Sequence, residues 1–120
     1  MLFSYHSSND QWGCTVMTAR KFPVTIMGRP SRSAATVPQM YTFESLDQNG
    51  KALCLGETVI LPDEINSFIS KHRQHGILIT ALHNHWLYNH PQIMFIHFQS
   101  IDNPLSFAHK VRDALTVLGP

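Results

Sequence analysis

The sequence predicts an α+β fold: a mostly antiparallel sheet with two amphipathic helices packed on it, in the order ββββαββα. Three observations predict it. Short apolar runs with a period of two recur between Pro, Gly and Asn punctuation, two segments switch to a helical period with start and stop residues at their ends, and Asn49-Gly50 joins two of the runs as a hairpin. At 120 residues the chain is read as a single domain, 1–120, long enough to bury one core.

Residues 1–11 are polar and aperiodic, and are expected to form a frayed terminus or an edge strand. From Trp12 to Lys21 the alternation through Cys14 and Val16 predicts a strand, and Val24 to Met27 a second one after Pro23. The stretch from Arg29 to Pro38, with two prolines and small polar residues, reads as a loop that crosses the sheet. Gln39 to Leu46 and Lys51 to Leu61 make the hairpin about Asn49-Gly50.

Pro62 suits a first helical position, and Asp63 and Glu64 sit at the positive end of the helix dipole. Ile65, Phe68, Ile69 and His72 then form one stripe, with Gly76 as the stop. Runs 77–86 and 92–99 are apolar on both faces and are expected to lie centrally as an antiparallel pair. Asn103-Pro104 opens a last helix whose stripe is Leu105, Ala108, Val111, Ala114, Leu115 and Leu118.

Charged residues make up 14% of the chain, against roughly 25% in an ordinary domain, and the net charge is +1. This leaves no basic footprint for nucleic acid, and the neutral surface favours association, with a homodimer as one outcome. No apolar run is long enough to cross a membrane, and the first ten residues lack the pattern of a signal peptide, so the default placement is cytoplasmic. Cys14 and Cys54 are too far apart for a metal knuckle or redox pair and read as buried thiols.

The chemistry concentrates between Gly76 and Gln99. His83 and His85 project to one side at strand spacing, and His97 joins them if the two runs pair in an even register. Three convergent imidazoles suit a divalent transition metal, zinc first, with Glu57 as a fourth ligand or general base. Glu64 is a second candidate for that base, against its plainer role as a helix N-terminal charge. Asn84 and Gln99 are placed to orient a substrate. His72, His75, His90 and His109 read as isolated surface histidines. Two functions stay open: a metal-dependent hydrolase or lyase, and a non-enzymatic small-ligand-binding or dimerising domain whose histidines are structural.

Three segments carry a resemblance: Gly56 to Asn66, Gly76 to His85 and Pro91 to His97, with Thr80-Ala81-Leu82-His83-Asn84-His85 the most specific. Over about residues 20 to 118 the chain resembles the LppY/LpqO-like family of bacterial proteins, whose domain has no established activity. Glu57, Glu64, Thr80, His83, Asn84, His85 and His97 match its motif. Pro91-Gln92 departs from its usual Pro-Arg. The resemblance implies a single-domain version, or one half of a duplicated arrangement, of proteins that are often longer.

Overall fold

A computed structural model describes residues 13–120. The expectation of a frayed terminus or edge strand over residues 1–11 lies outside them. Along the chain run β1 (Cys14–Ala19), β2 (Thr25–Ile26), β3 (Arg29–Pro30), β4 (Pro38–Glu44), β5 (Ala52–Ile60), a 3-10 turn (Pro62–Glu64), α1 (Ile65–Gln74), β6 (Leu78–Asn84), β7 (Asn89–His90), β8 (Met94–Asp102), α2 (Pro104–Ala114) and a final 3-10 turn (Leu115–Val117). The α+β class holds. Five strands form one sheet in the order β1-β4-β5-β8-β6, and β3-β2-β7 form a small second sheet. All the pairings are antiparallel.

The hairpin between β4 and β5 forms at Asn49-Gly50 for a local reason. Asp47 Oδ1 accepts from the backbone N–H of Asn49 (2.8 Å) and of Lys51 (3.0 Å), and Gly50 takes the left-handed φ of 77° that a side chain would resist. At Met27-Gly28 a second tight turn, with φ of 52° and 76°, joins β2 to β3. β2 therefore belongs to the small sheet, while β1 pairs with β4.

The two faces of the main sheet are covered differently. On the helix side Phe68, Phe98, Phe107, Ile77, Ile96 and Val111 form the larger core, and Phe98 lies directly over Gly56, where a Cβ would come within 2.2 Å of the ring. On the other side Val24, Val37, Val59, Ile93 and Phe95 make a smaller core beneath the segment 22–37. The expected crossing loop thus covers one end of this face. Its remainder, with Glu57, His97 and Gln99, is only partly covered.

Three expectations need correction. β6 is an edge strand and only β8 is interior, so the 77–86 run is apolar without being central. A bulge between Ile79 and Ala81 breaks the period of two: Ile79 pairs with Phe98 and faces the helices, whereas Ala81 pairs with His97 and faces the opposite way. In α2 the buried stripe is Phe107, Val111 and Ala114, while Leu105 is exposed. Phe107 is the bulkier side chain and takes the inward position. The Asn103 carboxamide oxygen caps this helix by accepting from the N–H groups of Leu105 and Ser106, as its sequence predicts.

His72 sits on the α1 stripe but is not a surface histidine. Its ring is fully buried, stacked on Phe68 at 3.9 Å and beside Phe98 at 4.5 Å. Nδ1–H donates to the Phe68 carbonyl (2.9 Å), and Nε2 has no partner among the described residues. Burial lowers its pKa to about 4, against an ordinary 6.5, so the ring is neutral. An unfolded chain takes up this proton near pH 6.5 and the folded one only near pH 4, so stability falls as pH drops through that window. We expect His72→Leu to remove up to about 3 kcal/mol of that pH-dependent loss. Urea denaturation at pH 7 and pH 4.5 measures it, and an identical pH dependence in parent and variant would contradict the assignment.

Candidate functional site

The ladder between β6, β8 and β5 assembles the site. His83 lies opposite Phe95, and His97 lies between Ala81 on one side and Glu57 on the other. Directly opposed residues in an antiparallel pair share a face. Glu57, His97 and His83 therefore line one face of three adjacent strands, at the margin of the smaller core.

The contacts form a chain. The Glu57 carboxylate faces Nδ1 of His97 at 3.4 Å. Nε2 of His97 meets Nε2 of His83 at 2.8 Å, with the rings nearly parallel and 4.9 Å between centroids. Nδ1 of His83 lies 3.0 Å from the backbone carbonyl of Asn84. A carbonyl only accepts, so this Nδ1 carries the proton and Nε2 of a neutral His83 presents its lone pair. A carboxylate likewise favours a proton on Nδ1 of His97. If both preferences are met, two Nε2 lone pairs face each other and a cation between them, a proton or a metal ion, relieves the repulsion; with the proton of His97 on Nε2 instead, that N–H donates to Nε2 of His83 at 2.8 Å.

Burial of the His97 ring lowers its pKa; the Glu57 carboxylate pulls the other way, and charge on His83 or His85 lowers it further. His85 follows the end of β6 and turns aside: its ring lies on Phe95 at 4.1 Å, edge-on to Trp86 at 5.0 Å, and 6.1 Å from the His83 ring. Trp86 Nε1–H donates to the Ala35 carbonyl (3.1 Å), tying this corner to the crossing loop. Among the described residues no group of three or more His, Cys, Asp and Glu side chains is arranged to hold a metal. The sequence brings the right residues to one corner, but as a histidine pair with a third ring beside it.

Glu57 and Glu64 part company. Glu57 stands behind His97, its carboxylate 3.4 Å from Nδ1, rather than beside the two Nε2 atoms. Glu64 is buried in a different place: Arg20 donates to both its oxygens at 2.7 Å, and the backbone N–H groups of Leu61 and Gly119 donate at 2.9 Å each. Burial opposes its ionisation, but the Arg20 hydrogen bond and charge, with the two backbone donors, hold the carboxyl below its ordinary pKa. All its acceptor sites are spent on structure, which excludes it as a base for the histidine corner. Gln99 is on the same face as His97, two residues along β8. Asn84 contributes its backbone carbonyl, and its pairing with Met94 turns its side chain to the helix side.

Sequence reasoning missed Phe95 and Trp86, the aromatic platform under the histidines. Phe95 shares the alternation of His97, which was a readable sign. Arg20 as the partner of Glu64 had no local sign, since the two are 44 positions apart.

Glu64→Gln leaves Arg20 buried without its counter-ion, and we expect a loss of about 3–5 kcal/mol in unfolding free energy. Equilibrium denaturation checks it; a change below about 1 kcal/mol, the scale of an exposed pair, would show that the clasp is solvated.

Among the described residues no helix is long and apolar enough to cross a membrane. No curated protein and no solved structure matches the chain. The family model that does match is not that of the LppY/LpqO-like family, so the resemblance drawn from the His83-Asn84-His85 segment is corrected. Matching over residues 2–117, the chain belongs to the family described as Domain of Unknown Function (DUF1259).

Proposed function

We infer that this chain is a metal-binding domain whose ion is held by Nε2 of His83 and Nε2 of His97. The observation that carries the reading is the convergence of those two atoms at 2.8 Å while both Nδ1 positions are turned to acceptors. Ligating imidazoles characteristically give their second N–H to a carboxylate or carbonyl, which fixes the tautomer and raises the basicity of the ligating nitrogen. The Asn84 carbonyl supplies one such acceptor at 3.0 Å, and the Glu57 carboxylate stands 3.4 Å from the other Nδ1.

The donor set fits a divalent transition metal, with zinc first. Nitrogens bound tetrahedrally at about 2.0–2.1 Å stand roughly 3.3 Å apart, so the two rings need to open by about half an ångström. Both sit on a partly open face, and β6 is an edge strand, so the movement is small. Rotation of His85 from Phe95 supplies a third ligand. Such a set leaves a position for water or a substrate, the form of a catalytic rather than a closed structural site. The chemistry an ion supplies there is Lewis-acid activation. This chain's own part is to hold His97 through Glu57 and to present Gln99 to what binds.

Zinc titration of tag-free protein tests the reading. We expect one equivalent bound in the parent, release of about one proton when the histidine pair is protonated, loss of at least 100-fold in affinity for His83→Ala and His97→Ala, and 10- to 100-fold for Glu57→Gln. No binding in the parent, or equal binding in the histidine variants, would overturn it.

A further inference from the structure

β6 carries no Asp, Glu, Lys or Arg, has apolar residues at Leu78, Ile79, Ala81 and Leu82, and is almost wholly uncovered. Every residue of Leu78–Asn84 except Ile79 is exposed, with Leu78 at 62% and Leu82 at 40%. One side of the strand is hydrogen-bonded to β8, and the other has no partner strand among the described residues. No Asp, Glu, Lys or Arg occurs between Arg73 and Asp102. The exposed large side chains continue past the strand through Trp86, Leu87 at 71% and Tyr88 at 78%. Monomeric proteins blunt such edges with charge, proline or coverage. β6 has only its bulge at Ile79/Ala81.

We propose that β6 is a docking edge for β6 of a second copy of this chain, paired antiparallel about a two-fold axis so that the main sheets continue into one another. The edge's own chemistry argues for a second copy. A partner strand must supply backbone donors and acceptors together with apolar, uncharged side chains, since a charged one would be desolvated against Leu78 and Leu82 without a counter-ion. β6 meets that description itself, and antiparallel pairing of identical strands is self-complementary, the commonest closed symmetry of soluble oligomers. Absence of like charges along it removes the usual barrier to self-pairing. The apolar strip through Trp86, Leu87 and Tyr88 extends the contact beyond backbone pairing, and a charge-poor centre is the composition of a homodimer interface. The pairing is independent of the metal reading, because it uses the outer edge of β6 rather than the histidine nitrogens.

Thr80→Lys and Leu82→Lys place a charge on this edge at exposed positions, and Thr15→Lys places one at a half-buried position of β1, the opposite edge of the sheet. Sedimentation velocity between 1 and 200 µM, with circular dichroism to confirm folding, reads the mass. We expect twice the monomer mass for the parent and for Thr15→Lys, and the monomer mass for both β6 variants. If the β6 variants fail to fold, hydrogen exchange of the parent decides: β6 amides alternating along the strand should gain protection as concentration rises. A parent that stays monomeric, β6 variants that remain dimeric, or β6 amides whose exchange is independent of concentration would overturn the proposal.

Discussion

The unbroken ladder between β5 and β8, from Ala52 opposite Asp102 to Ile60 opposite Met94, is the constraint on which the rest of the structure depends. It fixes the alternation of β8, and that alternation sorts the chain into two cores. Ile96 and Phe98 go to the helices; Phe95 goes under the crossing segment with Val24, Val37 and Val59. A slip of one residue would exchange the two sets and bury His97 under α1. Gly56 guards the register, because no other residue leaves room for Phe98 above β5.

The same ladder explains why the histidine corner exists at all. His97 cannot leave the face it shares with Phe95, and Glu57 is its opposite number on β5. His83 reaches that face only because the bulge in β6 resets the strand after Ile79; without it, a strand that buries Ile77 and Ile79 would turn His83 toward the helices. Packing energy spent on the core therefore orients the polar site. The cost of bringing two imidazole nitrogens together is borne by a fold whose stability comes from elsewhere.

Strand and helix types were readable because each follows from local pattern: Asp47 to Gly50 as a turn, and Pro62 and Asn103-Pro104 as helix starts; His83 does share a face with His97, but through a bulge at Ile79/Ala81 that the period of two did not show. Sheet order was not readable. An apolar run such as Leu78 to Leu82 looks the same whether a second strand or nothing covers its outer edge, so β6 read as central. Glu64 was ambiguous for a related reason: a carboxylate in a first helical turn looks the same whether it faces a site or, as here, a buried Arg20 brought from far along the chain. His72 illustrates a third limit. Its place on an apolar stripe, one turn after Phe68, was visible, but the burial of its ring against Phe98 of β8 is tertiary.

In the proposed metal site His83 and His97 are both held with the proton on Nδ1 and present facing Nε2 atoms to the ion. The direct measurement is a long-range 1H–15N correlation spectrum of the imidazole rings at neutral pH, with and without one equivalent of zinc. The account predicts that zinc shifts Nε2 of both rings while both Nδ1–H signals persist. Shifts at either Nδ1, or rings that keep Nε2–H in the presence of zinc, would contradict it.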